Sequence, residues 1–209
     1  LDFMTLQGIT GAAVSMKFQS MCNGANLAYT KKAFEAAGGF EGINDIASGD
    51  DMLLMHKIFK QNPAGTMYLK SSDVIVQTKA MHSWKDFFNQ RIRWASKADK
   101  YDDKRIFWVL LIVYAFNVVL LVLPVVAAIK NYQLTIINYQ LSIFNFWLYI
   151  LLLKTVIELF FLFPVARFFN NVKLLCWFPV AQPVHIVYTV IAGWLGKFGQ
   201  YEWKERKVK

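Results

Sequence analysis

Long apolar runs occupy the second half of the chain. Residues 106–129 contain no charged side chain, and a helix of this length, at about 1.5 Å per residue, crosses a hydrocarbon core of about 30 Å. Residues 142–166 form a second candidate span that is interrupted only by Lys154 and Glu158. Because these two charges are four positions apart, they share a helix face and can neutralise each other. The pattern predicts two membrane-crossing helices, with the charged pair as either a helix–helix contact or a functional group.

A third apolar segment, residues 174–196, contains Pro179, Pro183 and the ionisable His185. Proline removes a backbone donor, so this segment is expected to be kinked or broken near its start. The basic tail over residues 197–209 and the basic residues before the first span both favour the cytosolic side. Two crossings followed by a re-entrant or interfacial segment place the basic tail and the basic residues before the first span on the cytosolic side. Three crossings place them on opposite sides of the membrane. We favour the re-entrant or interfacial arrangement.

Short elements alternate in the first half of the chain. Two are helices with polar caps: one is capped by Thr30 and extends to about Ala37, and the other is capped by Ser48 and extends to Gln61. The other two are β-like runs over residues 66–69 and 73–78. Alternation of helices and strands predicts the later part of an α/β domain.

Residues 83–97, directly before the first span, predict an amphipathic helix. Ser83 and Asp86 match a capping box that would start it. One side of the helix is apolar, and the other carries four polar or aromatic groups at the i, i+3, i+4, i+7 spacing: Gln90, Arg93, Trp94 and Lys97. Such a helix suits the membrane interface, and its polar side either binds a ligand or touches lipid phosphates.

Composition changes the picture in three ways. The chain is 56% hydrophobic and 16% aromatic, which is more apolar than an ordinary soluble domain. Its net charge of +9 lies largely beside the apolar segments, where lipid headgroups account for it, so no nucleic-acid partner is expected. Residues 1–105 hold 11 Asp and Glu, against 3 in residues 106–209. Chemistry that depends on carboxylates is therefore expected in the first half.

Two short motifs in this half carry candidate chemistry. Asp50 and Asp51 stand side by side at the start of a predicted helix. Asp51 either caps that helix together with Ser48 and favours its dipole, or serves as a general base. The loop Cys22–Asn26, with the sequence CNGAN, is a small polar turn whose backbone can approach a ligand closely.

Several other kinds of site are not expected. Cys22 and Cys176 have no paired spacing, which argues against a disulfide framework or a zinc site. His56 and His82 lack metal-ligand spacing, so no metal site is expected within these residues. The chain opens at Leu1 without a charged and then apolar leader, so we expect no signal peptide and expect the chain to be part of a longer protein.

In this order, the segments resemble the processive-type family 2 glycosyltransferases, the membrane-integrated synthases related to cellulose, chitin and hyaluronan synthases. The resemblance covers about Met21 to Lys97 and rests on three motifs before the spans: CNGAN at 22–26, SGDD at 48–51 in place of the family's Thr-Glu-Asp, and QRIRW at 90–94 as its Gln-x-x-Arg-Trp. Gly49 stands where the family has Thr, and Asp50 where it has Glu.

The resemblance implies a fold and a set of site residues. The fold is a GT-A-like α/β catalytic domain, of which residues 1–104 form the C-terminal part including the interfacial helix, then a transmembrane region over 105–196 and a cytosolic tail over 197–209. Asp51 would be the general base, with Asp50 as its neighbour in the acidic motif. Two further groups would bind substrates: Gln90, Arg93 and Trp94 for the donor diphosphate and the acceptor, and Cys22, Asn23, Gly24, Ala25 and Asn26 for the acceptor.

The implied function is inverting transfer of a sugar from a nucleotide-sugar donor to a glycan or lipid-linked acceptor at the cytosolic surface of a bacterial inner membrane. Export or assembly subunits are further expected partners. A divalent metal, Mg or Mn, is expected in the intact enzyme through an upstream Asp-x-Asp that this chain does not contain, so the chain alone is expected to be inactive. The alternative is a non-catalytic membrane anchor or assembly subunit of a polysaccharide-synthesis complex.

Overall fold

The computed structural model describes residues 1–18, 21–44, 48–98, 100–101, 103–133, 137–203 and 206–208. Within these ranges the chain is mostly helical, with seven α-helices: α1 Asp2–Ser15, α2 Lys31–Ala36, α3 Asp50–Gln61, α4 Trp84–Ala95, α5 Lys104–Gln133, α6 Ile137–Phe168 and α7 Phe178–Phe198. Short 3-10 helices cover Gly24–Asn26, Pro63–Gly65, Ser72–Val74 and Val172–Trp177. Two strands near the end of the chain, β1 Tyr201–Trp203 and β2 Arg206–Val208, pair in antiparallel fashion.

The three predicted apolar segments are all helical. By length and hydropathy, the candidate membrane spans are Lys104–Ile129, Ile143–Phe168 and Val172–Phe198. In the third, the 3-10 helix over 172–177 passes into α7 at Phe178. Pro179 lies in the first turn of α7, where its missing N–H removes no helical hydrogen bond. The change of helix type therefore comes just before the first proline, and α7 continues through Pro183.

The expected α/β sheet is not seen among the described residues. The two β-like runs at 66–69 and 73–78 form irregular backbone and part of a 3-10 turn, and the strand pairing in the described ranges is that of β1 with β2. Extended backbone becomes a strand only when a neighbouring strand takes up its N–H and C=O groups. The runs have no such neighbour among the described residues, so the predicted strands are wrong there.

Helix starts were partly predictable. The Thr30 hydroxyl accepts the Ala33 N–H at 3.1 Å, which confirms the cap of α2. Ser83 Oγ accepts the Asp86 N–H at 3.1 Å and donates to Asp86 Oδ2 at 2.7 Å, which confirms the start of α4. The Ser48 cap is wrong: α3 is capped by Gly49 in the left-handed conformation at φ 88°. Glycine adopts this conformation without a steric penalty.

Two apolar clusters place α3 and α4 near the spans. Leu53 of α3 packs with Tyr101 and Ile106, at the start of α5. Ile92 of α4 packs with Ala192 of α7 and with Tyr201 of β1. The interfacial helix of the sequence prediction is therefore enclosed between α7 and the C-terminal hairpin.

Helices α4 and α7 lie side by side and run in the same direction. The rings of Phe87 and Tyr188 are 5.2 Å apart. Further along both helices, Gly196 meets Ala95 so closely that a Cβ at Gly196 would lie 2.6 Å from the Ala95 Cβ. Glycine permits such contact between helix backbones.

The charged pair of the second span joins two helices. Lys154 is buried and donates to both carboxylate oxygens of Glu158 at 2.7 Å. It also donates to Gln182 Oε1 of α7 at 2.8 Å, and the Gln182 amide donates back to Glu158. Of the two interpretations left open by the sequence, the structure favours the helix–helix contact.

Candidate functional site

The carboxylate of Asp51 faces the CNGAN loop. Asp51 lies in the first turn of α3, and a Cβ at Gly24 would overlap its Oδ2 and lie 3.2 Å from its Cγ. Its neighbour Asp50 is exposed. The two acidic side chains thus occupy different environments, and Asp51 is the one in contact with the loop.

Local hydrogen bonds hold the CNGAN loop in place. Asn23 Oδ1 accepts the Ala25 N–H at 3.1 Å, and Asn26 Nδ2 donates to the Val74 carbonyl at 2.8 Å. Ala25 itself is exposed. Burial, and secondly the charge of Asp51, raise the pKa of Cys22 to about 12. The thiol is therefore protonated at neutral pH, and Cys22 does not have the character of a nucleophile.

Arg93 lies within electrostatic reach of this carboxylate. Burial lowers the pKa of the Arg93 guanidinium, whereas Tyr201 and the carboxylate of Asp51 raise it. An arginine remains protonated at physiological pH despite such a shift. Lys97, two residues after the end of α4, packs over Gly49 with its Cγ 3.7 Å from the position of a Cβ there. The acidic motif and the QRIRW motif are therefore neighbours in space.

Gln90 and Arg93 share a cavity of about 410 Å³. Its wall also includes Asn89, Trp203 and residues 79–82. The Arg93 guanidinium stacks on the Trp203 ring with 4.1 Å to the ring centre. Asp51 is not among the described residues that line this cavity, so its carboxylate lies outside the cavity wall.

Trp94 has a different neighbour from the one expected. The Arg91 guanidinium lies 4.3 Å from the centre of its ring, and Arg91 forms an ion pair with Asp2 of α1. Trp94 does not line the cavity of Gln90 and Arg93 among the described residues. The structure thus brings Asp51, the loop and Arg93 together, joins Gln90 to Arg93, and stacks Trp94 on Arg91.

The C-terminal hairpin is a part of the site that the sequence analysis missed. Asn89 donates to the Glu202 carbonyl at 2.7 Å and accepts the Glu202 N–H at 2.8 Å. Lys97 Nζ donates to the Tyr201 hydroxyl at 2.8 Å. Burial alone would raise the pKa of Tyr201, but the hydrogen bond from Lys97 contributes to lowering it. The aromatic residues of the tail were the available signal, because its basic charge alone does not indicate a contact with α4.

The described residues offer no cluster of three His, Cys, Asp or Glu side chains that fits a metal ion. The residues present therefore do not supply the donor set that Mg or Mn prefers. No catalytic step is assigned to a metal held by this part of the chain, and the expected metal of the intact enzyme stays a prediction.

Comparison with known proteins gives the family. No curated protein and no solved structure is significantly similar to the chain. The family described as Glycosyl transferase family group 2 matches residues 2–195. The match extends from α1 into the last turn of α7 and includes the CNGAN, SGDD and QRIRW motifs. The chain belongs to glycosyl transferase family group 2.

Proposed function

We propose that the chain forms the acceptor-activating part of an inverting glycosyltransferase, which moves a sugar from a nucleotide-sugar donor to a glycan or lipid-linked acceptor at the cytosolic membrane surface. The observation that carries this proposal is the contact between the Asp51 carboxylate and Gly24, with the charge of Arg93 nearby. Family membership supports the reaction class.

In the proposed reaction, Asp51 takes the proton of the acceptor hydroxyl as its oxygen attacks the anomeric carbon. The bond from that carbon to the diphosphate breaks, and a nucleoside diphosphate leaves. One base on one side of the sugar supports direct displacement, which inverts the anomeric centre. Asp51 suits the task because it faces a loop that the acceptor can approach.

Arg93 is assigned to the leaving group. Negative charge grows on the diphosphate as the bond breaks, and a guanidinium offers a planar, permanently charged fork for two phosphate oxygens. Gln90 shares the cavity with Arg93 and supplies an amide at its wall. Its volume of about 410 Å³ lies within the range of about 300–1,000 Å³ that is usual for small-molecule sites.

Trp94 keeps its proposed role in acceptor binding. An indole gives the apolar face of a sugar ring a flat and rigid platform. Because Arg91 stacks on this ring, the role requires the acceptor to use the opposite face of the indole. Mg or Mn remains a proposal for the intact enzyme, as do export or assembly subunits.

We also propose that α4 lies at the cytosolic interface and that α7 is re-entrant or interfacial rather than crossing the membrane. Gly193 of α7 meets Tyr114, which lies in the N-terminal half of α5. Helix α1 connects α7 to the half of α6 that precedes its end at Phe168, because Asp2 accepts a hydrogen bond from Tyr188 and Gly8 meets Val165. If α5 and α6 cross in opposite directions, these halves adjoin the same membrane surface. The hairpin against α4 then lies on that surface too, in agreement with its basic charge.

This topology predicts which side of the membrane the tail occupies. In a Cys22→Ser, Cys176→Ser background, Lys207→Cys is expected to react with a membrane-impermeant maleimide from the same side as Lys60→Cys of α3. Thr135→Cys, between α5 and α6, is expected to react from the opposite side. Labelling of right-side-out and inverted vesicles measures this. Reaction of Lys207→Cys together with Thr135→Cys would show that α7 crosses.

The contact of Gly24 with Asp51 predicts a second result. In the full-length enzyme, Gly24→Ala is expected to lower transfer by about 10²-fold, because its methyl group displaces the carboxylate and a shift of about 1 Å has this effect on catalysis. Gly11→Ala is the matched control, since a Cβ there would meet its nearest neighbour, Tyr68, at an ordinary 3.4 Å. Turnover with supplied donor and resistance to proteolysis are measured together. Normal turnover in a folded Gly24→Ala enzyme would argue against Asp51 as the base.

A further inference from the structure

A second cavity, of about 610 Å³, lies outside the site described above. It is enclosed by α1, α4, α6, α7 and the segment that leads into α4. Most of its wall is apolar, including Phe87, Phe161, Leu162, Phe178 and Val184. Its volume lies in the range of about 300–1,000 Å³ that small-molecule sites occupy.

The position of this cavity points to a ligand from the membrane. Its α6 and α7 walls belong to two of the candidate spans. On another side it is lined by Trp84 and Phe87 of α4, the helix assigned to the interface. The cavity therefore lies where the hydrocarbon region meets the cytosolic surface.

The charged groups near this cavity already form pairs of opposite charge with one another. Glu158 is paired with Lys154 and Gln182, and Asp2 is paired with Arg91 and accepts a hydrogen bond from Tyr188. A charged ligand would find no uncompensated counter-charge among these groups, and burying it there without one is unfavourable. The chemistry of the wall favours an uncharged apolar chain.

The apolar cavity adjoins the cavity of Gln90 and Arg93. Ala80, Met81 and His82 line both. A molecule with an apolar chain and a polar head can therefore place the chain on one side of this segment and the head on the other. Among molecules of this kind, a lipid-linked acceptor carries a sugar as its head, which is the group that the proposed reaction uses.

We propose that the apolar cavity holds the chain of a lipid-linked acceptor, so that its sugar head is presented to Arg93 and Asp51. This inference rests on the proposed function and specifies the acceptor class. Moving a chain from the bilayer into an apolar cavity changes its hydrophobic burial little. The benefit is that a tethered head reaches a high effective concentration beside the base.

The test uses full-length enzyme in nanodiscs and a photoreactive hexadecyl β-glucoside with a diazirine in its chain. Illumination is expected to label the α7 peptide that contains residues 181–188. Ala181→Phe fills the cavity from α7 and is expected to reduce this labelling by about tenfold. Val180→Phe is the matched control, because Val180 is 69% exposed and does not line the cavity. Ala181→Leu is expected to give an intermediate loss, and elution as a single species in gel filtration checks folding.

Three outcomes would overturn the inference. They are labelling only of helices that do not line the cavity, such as α3 and α5, labelling that Ala181→Phe and Ala181→Leu leave unchanged in folded protein, and equal labelling by phosphatidylcholine that carries the same diazirine, which would make the cavity a bulk-lipid site. Asp51→Asn is expected to retain the labelling while losing transfer. A wild-type enzyme that shows chain labelling without any transfer would reject the proposed function and not the cavity's affinity for an apolar chain.

Discussion

Replacing Asp51 with asparagine is expected to lower sugar transfer by the full-length enzyme by about 10²–10⁴-fold, the range that a positioned general base contributes. Asparagine keeps the size of the side chain and its contact with Gly24 but cannot take the proton of the acceptor hydroxyl. Turnover of the nucleotide sugar, measured in purified membranes with donor and acceptor supplied, tests this. Expression, membrane insertion and gel-filtration behaviour are expected to stay unchanged.

Asp50→Asn provides the matched control. It makes the same chemical change one residue earlier in the same helical turn, but on an exposed side chain. Its effect on turnover is expected to be within a few-fold of wild type, because a surface substitution of this kind perturbs folding little. A loss shared equally by both variants would point to the charge of the helix start rather than to a base at Asp51.

Replacing Arg93 with lysine is expected to lower transfer by about 10²-fold, the effect of losing one donor that stabilises developing charge. Lysine keeps the positive charge but loses the planar fork for two phosphate oxygens and the stacking on Trp203. The loss is expected mainly in kcat, because charge on the diphosphate is greatest as its bond breaks. Steady-state kinetics with varied donor concentration measure the split between kcat and KM.

Arg105→Lys is the corresponding control at the start of α5. Arg105 is exposed and paired with Asp103 at 2.6 Å, and an exposed pair of this kind contributes little. Unchanged turnover is expected. If the chain were only a membrane anchor or assembly subunit, the variants at Asp51 and Arg93 would behave like this control, and transfer would be insensitive to all of them.

The long helices and α4 could be predicted from the sequence because they depend on local information. The run without charges over 106–129 lies within the candidate span Lys104–Ile129, since an apolar stretch of this length has few other stable environments. The Ser83 cap needed only a residue three positions away. Both features depend on neighbours along the chain.

Other features depend on residues that are far apart in the sequence. Whether residues 66–69 form a strand is decided by a partner, which their own composition does not reveal. Gly49 replaces Ser48 as the cap because of a backbone conformation that the capping-box pattern did not indicate. The helix α1 had weak amphipathic character, and packing against α6, where Gly8 meets Val165, accounts for its position.

The candidate site shows the same division. The resemblance grouped Asp51, the CNGAN loop and Arg93, and the structure brings them into one region. The resemblance did not reveal that Trp203 stacks on Arg93, because this contact joins α4 to the C-terminal end of the chain. The stacking of Trp94 on Arg91 likewise depends on the orientation of α4 between α1 and α7.

The direct meeting of Gly196 with Ala95 has a mechanical consequence. Because only the methyl group of Ala95 separates the two backbones, α4 cannot slide along α7 without a steric clash at that point. The hairpin is attached to α4 through two hydrogen bonds at Asn89. Any movement of α4 that carried Arg93 away from Asp51 to release a product would therefore take the hairpin and the adjoining part of α7 with it.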